Sequence, residues 1–158
     1  MTMVGTSVHF EVILASIHAF AALYMCGLIW FVQVVHYPLH GLVGMEAFQD
    51  YQAAHVRRTS LVVIGPMLIE FMTAGLLVAV SWSQTFDPLA AVGFLVLLKA
   101  WVATFMLSVP AHRKLEAGFS QAAHRQLVLT NWVRTFAWTV RAPIALAILV
   151  SASKGMAS

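Results

Sequence analysis

At 158 residues the chain suits one domain, residues 1–158. It is 61% hydrophobic and only 9% charged, with a mean hydropathy of +0.85, which leaves too little polar surface to coat a water-soluble globule. The formal charge of +3 comes from cations scattered among apolar runs, which excludes a nucleic-acid-binding face and points to an integral membrane protein whose first partner is the lipid bilayer.

Residues 12–35 form the first run long enough to cross a bilayer as a helix, a crossing that takes about 20 residues. No cationic leader and small-residue cleavage site precede it, so an uncleaved first span is expected. Cys26, the single cysteine, lies within it as a small packing residue. Further runs follow at residues 61–82, 89–109 and 132–150. Ser83, Gln84, Thr85, Asp87 and Pro88 make the turn between the second and third. The expected fold is an all-α membrane four-helix bundle.

The two longer connections read as helical rather than loose. Met45, Phe48, Tyr51, Gln52 and His55 share a helical face that continues through Thr59, Val62 and Pro66 to Glu70, so the second span is expected to be long and kinked at Pro66. His124, Val128, Asn131, Thr135 and Trp138 form a similar stripe into the fourth span.

The chain also repeats itself. Pro38-Leu39-His40, Glu46-Ala47-Phe48 and Gln52-Ala53-Ala54-His55 recur as Pro110-Ala111-His112, Glu116-Ala117 with Phe119, and Gln121-Ala122-Ala123-His124. Two parallel two-span repeats, about residues 12–82 and 89–150, are the natural reading. Arg57 and Arg58 fall in the first connection and Arg113, Lys114 and Arg125 in the third, while the middle one has no cation. Positive charge then places the long connections in the cytoplasm and both termini outside, in a bacterial inner membrane.

Chemistry-bearing residues fall into three groups. His40, His55, His112 and His124, matched between the copies, would form a metal cage completed by Glu46 and Glu116, with His36 as a fifth ligand or a supporting group. Iron leads, with copper or zinc as alternatives, and a dinuclear centre suits this ligand set. Against this stands the plainer role of anchoring helix ends among headgroups, although packing has little reason to repeat a polar residue at a matched place. Glu70 and Lys99 both fall near the middle of their spans, where a lone charge is expensive, so they are expected to pair, structurally or as a proton relay. Arg134, Arg141 and Asn131 on the fourth span would receive an anionic group such as a carboxylate or propionate, with Arg134 near enough to the edge to snorkel. His18 lies alone inside the first span, and the tryptophans, Trp138 among them, read as belt or packing residues.

His18, the segment Cys26-Gly27-Leu28-Ile29-Trp30 and the His36-Tyr37 step resemble the first span of HemJ-type and CopD-like membrane proteins, and Lys99 followed by His112 resembles a later stretch of that family. Small anthrone-oxygenase-like membrane proteins have a comparable four-span outline. The resemblance implies a haem-using oxidoreductase, acting on protoporphyrinogen in the HemJ type, with His18 and Lys99 at the haem-associated positions. Where that family carries Leu-Pro-Arg-Leu this chain has Phe31-Val32-Gln33-Val34-Val35, which argues for a different substrate.

The expected function is a membrane-embedded oxidoreductase using a His-held metal or haem on an apolar small molecule, with a quinone or other electron donor as partner. Glu70, Lys99, Asn131, Arg134 and Arg141 would handle protons and orient the substrate. The alternative is a homo-oligomeric transporter or channel with Glu70, Lys99 and Arg141 lining the path.

Overall fold

The computed structural model describes residues 2–83 and 88–155, with side chains from residue 9 onward apart from that of Ser83. Residues 84–87 of the expected middle turn lie outside the described residues. Helix α1 (Thr2–Phe31) runs through a π-helical turn, Val32–His36, into the short α2 (Tyr37–His40). Helix α3 (Phe48–Ser83) follows, then α4 (Pro88–Ala103), a second π turn (Thr104–Ser108) and α5 (Val109–Glu116), and finally α6 (Gln121–Lys154). These make four membrane-length rods, His9–His40, Phe48–Trp82, Pro88–Glu116 and Gln121–Lys154.

Each rod is longer than its apolar run. Helix α3 starts at Phe48 rather than near 61, and α6 at Gln121 rather than near 132, because the polar connections continue as helix on their way into the bilayer. Helix α3 also runs through Pro66 without interruption. The π turns have a local cause. Pro38 and Pro110 offer no N–H and crowd the carbonyl four residues earlier, which belongs to Val34 and Met106. In both rods that turn widens, with the Tyr37 N–H on the Val32 carbonyl and the Val109 N–H on the Thr104 carbonyl.

The rods close into a ring in which α1 and α4 each pack against both α3 and α6. Both ends of the described chain therefore lie at one end of the bundle, and the connections 41–47 and 117–120 at the other. Ala19 and Ala22 let α1 approach α6 closely at Ala145. Leu14, Ala15, Leu77, Ala90 and Ile148 fill the terminal end, while Met25, Phe48, Leu115, Leu127 and Trp138 belong to the larger core reaching the connection end. Ile13, Phe20, Met72, Val102 and Phe136 point outward as an apolar belt, the surface a bilayer covers. Gly118 turns the last connection at φ +136°, a conformation that favours glycine. Ser120 then caps α6 by accepting the Ala123 N–H at 3.4 Å.

Candidate functional site

A column of buried polar side chains runs along the bundle axis. Midway, Glu70 of α3 is fully buried and accepts Arg141 Nε at 2.8 Å and Trp138 Nε1 at 2.8 Å. Arg141 Nη1 donates to the Gly93 carbonyl of α4, and Nη2 lies 3.0 Å from His18 Nε2 of α1. Since a guanidinium only donates, His18 accepts at Nε2 and carries its proton on Nδ1, which donates to Thr73 Oγ1 at 3.0 Å. All four rods meet in this network. The expected Glu70–Lys99 pair is not formed: Arg141 holds Glu70, and Lys99 is exposed with no hydrogen bond or ion pair among the described residues. Both ring nitrogens of His18 are engaged, so the structure brings no free His18 lone pair to Lys99. Trp138 is buried beside Glu70 rather than at an interface.

One layer toward the connections, Gln33 Oε1 accepts Asn131 Nδ2 at 2.9 Å, and Asn131 Oδ1 accepts Arg134 Nη1 at 3.1 Å. Ser108 Oγ takes the same Arg134 nitrogen at 3.4 Å. Arg134 does not snorkel, because it is only 6% exposed, with its guanidinium 5.5 Å from the Trp138 ring centre.

At the connection end, imidazoles from all four rods come together. Ring centres are 4.5 Å apart for His36 and His55, 5.5 Å for His40 and His55, 5.8 Å for His40 and His124, and 5.2 Å for His55 and His112. The π turn and Pro38 carry His36 and His40, α3 carries His55, α5 His112 and α6 His124. His36 Nε2 lies 2.8 Å from His55 Nδ1, which Thr59 Oγ1 also reaches at 3.1 Å.

Gln52 organises this cluster. Its Nε2 is 3.3 Å from the His112 carbonyl oxygen, which can only accept, so the amide orientation is fixed. Gln52 Oε1 therefore faces His40 and accepts Nε2–H at 2.8 Å. The remaining His40 nitrogen, Nδ1, is a buried lone pair with no hydrogen-bond partner. Gln52 Nε2 also donates to His112 Nδ1 at 3.2 Å, so His112 Nε2–H donates to the Tyr37 hydroxyl at 3.1 Å. His112 is thereby left without a free lone pair. His124 Nε2–H donates to the Tyr37 carbonyl at 2.8 Å, which leaves its Nδ1 as the lone pair. Gly41 admits the His124 ring, since a Cβ there would stand 2.7 Å from His124 Cε1. Gly41→Ala is expected to displace that ring and to cost about 1–3 kcal/mol, seen as a lower thermal unfolding midpoint in detergent.

Beside the cluster, between α3 and the α4–α5 rod, lies a cavity of about 510 Å³. Tyr37, His55, His112, Ser108 and Arg134 form its polar end, and Val63, Ile64, Met67, Leu68 and Phe105 its walls. Ile64, Leu68 and Phe105 are also exposed on the apolar belt, so the cavity opens sideways. Trp101 also lines it, and the buried indole N–H of that residue has no hydrogen-bond partner.

The imidazoles expected to form a cage lie near one another, but no metal-holding group is formed among the described residues. His40, His55, His112 and His124 converge and His36 joins them, but the arrangement is not symmetric: Gln52 is buried in the cluster while Gln121, its repeat counterpart, is exposed. Glu46 and Glu116 are exposed and contact none of these rings, although Glu116 reaches the cavity. Among the described residues no three His, Cys, Asp or Glu side chains stand ready to hold one metal ion. Asn131, Arg134 and Arg141 are all buried, but Arg141 is spent on Glu70. Sequence reasoning missed Tyr37, Gln33, Ser108 and Thr73. Their only signal was a polar group inside an apolar run. No protein-family model, curated protein or solved structure matches the chain.

Proposed function

We propose that the chain is a membrane-embedded oxidoreductase in which imidazoles hold a transition metal beside the lateral cavity, and a lipid-soluble small molecule is the substrate. One observation carries this reading: the buried His40 Nδ1 lone pair has no hydrogen-bond partner, and its ring stands beside those of His55 and His124 from two other rods. An unsatisfied buried acceptor costs about 1–3 kcal/mol, and a metal ion would remove that cost. His36, His40, His55 and His124 would be the ligands. Imidazole suits iron, copper and zinc, and a redox role favours iron or copper.

Ligation needs a rearrangement of these rings, because no three of them stand ready to hold one ion among the described residues. The His36–His55 nitrogens stand 2.8 Å apart, whereas two tetrahedral ligands each about 2.0–2.1 Å from a metal are separated by about 3.3 Å. The metal, when bound, would supply the redox chemistry, with a quinone or similar carrier exchanging electrons. The chain's own residues do the rest. Gln52 fixes the imidazole tautomers, Tyr37 and His112 present polar groups to the cavity, and the apolar walls restrict water and admit a substrate from the bilayer.

Exposed Arg57, Arg58, Arg113, Lys114 and Arg125 all lie toward the connection end, which supports placing the site at the cytoplasmic face. The two π turns, each ending two residues before its proline, support an origin by duplication. The transporter reading is less well supported, because the buried Glu70–Arg141 network ties the bundle shut at its middle.

Protein purified without chelators should carry stoichiometric iron or copper by elemental analysis. His40→Ala, His55→Ala and His124→Ala should each lower occupancy at least about tenfold, while Lys99→Ala and Glu46→Gln leave it unchanged. Failure to retain or take up Fe(II) or Cu(II) would overturn the metal reading. A haem absorbance band lost in Lys99→Ala would replace it with the haem alternative.

A further inference from the structure

Arg134 is a buried cation without an anion. Its Nη1 is shared between two neutral acceptors, Asn131 Oδ1 and Ser108 Oγ, and the neutral Tyr37 hydroxyl also stands against the guanidinium. Its Nε is buried with no partner, and no carboxylate lies within ion-pair reach of it among the described residues. Charge within a membrane bundle is costly and is ordinarily paired, as Arg141 is by Glu70. A second cavity-lining residue, Trp101, also has a buried donor without a partner, its indole Nε1. Both open valences therefore call for acceptor oxygens, and the charge calls for one negative unit. At the rim Arg113 and Glu116 oppose each other in sign and add no net charge.

We infer that this cavity binds an amphiphile with a single carboxylate head, seated on Arg134 and Trp101, and an apolar body lying between α3 and the α4–α5 rod. A carboxylate matches the planar guanidinium fork, whereas a phosphate monoester, at about −1.5 to −2 charge, exceeds what one arginine balances. A volume of about 510 Å³ is in the range that holds drug-sized molecules, which suits one chain or a small ring system rather than a two-chain lipid. The assignment rests on the cavity being the substrate site of the proposed oxidoreductase, but the binding itself requires no metal.

The test is binding of radiolabelled palmitate to the full chain in phosphatidylcholine nanodiscs, with metal content measured on the same samples. Saturable binding is expected, with hexadecanol competing at least about tenfold more weakly than palmitate. Arg134→Gln should weaken palmitate binding at least about tenfold without changing metal content, and Arg134→Lys should fall between. Trp101→Phe, which keeps the ring, should weaken it a few-fold, and it decides the matter if Arg134→Gln does not fold. Equal competition by hexadecanol, or wild-type binding by folded Arg134→Gln, would overturn the assignment. So would displacement of palmitate by equimolar phosphatidylglycerol, which would mark a lipid-headgroup site. Palmitate bound without metal would sink only the metal reading, and metal bound without palmitate only this one.

Discussion

Arg141→Met should destabilise the bundle by about 3–5 kcal/mol, because it strands the Glu70 carboxylate in the core. Glu70 is fully buried, and one of its two oxygens is held by Arg141 Nε at 2.8 Å. The Trp138 indole on the other oxygen cannot neutralise the charge. The same substitution leaves His18 Nε2 without its donor and removes the side-chain donor from the Gly93 carbonyl, which keeps its helical one. The measurement is the unfolding midpoint of purified protein in detergent. The double variant Glu70→Gln/Arg141→Met removes both charges and should recover much of the loss, as buried pairs replaced together often do. A single Arg141→Met variant as stable as the parent would show that the ion pair does not hold the rods together. Lys99→Met, on the lipid-facing side, breaks no ion pair among the described residues and should not destabilise the bundle.

Gln52→Leu should lower metal affinity by about 10–100-fold, although Gln52 is not a ligand in the proposed site. It holds His40 through Nε2–H at 2.8 Å and so keeps the Nδ1 lone pair available. Leucine fills similar space but frees the His40 ring and removes both donations to His112. Metal titration followed by elemental analysis reads the effect. Gln49→Leu is the control, since Gln49 is exposed and, among the described residues, bonds only the Ala117 carbonyl. If Gln52→Leu binds metal as tightly as the parent, His40 Nδ1 does not depend on Gln52 for its role.

The four spans and the polar face through Phe48, Gln52 and His55 were legible because apolar length and helical period act within a single rod. Partner choice was not, because it depends on how each rod is rotated against the others. Lys99 shows where a clue lay unused. Leu95, Val102 and Met106 fall on its stripe and all face outward, so that stripe belongs to the lipid. Asn131, Thr135, Trp138 and Arg141 form an equally clear stripe that is buried throughout, and its arginine is the one that meets Glu70. The repeated Pro-x-His and Gln-Ala-Ala-His segments marked the imidazoles but left open whether the two pairs meet, since that too depends on how the rods are rotated. Their unequal hydrogen bonding was hidden, because Gln52 and Gln121 look alike in sequence but sit differently against the bundle. The π turns were hidden too, although Pro38 and Pro110 marked where a regular helix would collide with itself.

The Glu70–Arg141 contact spans 71 positions of the chain and joins the second rod to the last. During synthesis the acidic member enters the membrane well before its basic counterpart leaves the ribosome. Until then the first three rods carry an unmet charge, so they form a waiting assembly rather than a finished one. Arrival of the C-terminal rod is the event that locks the molecule, and a chain stopped short of residue 141 would keep the earlier rods in that waiting state.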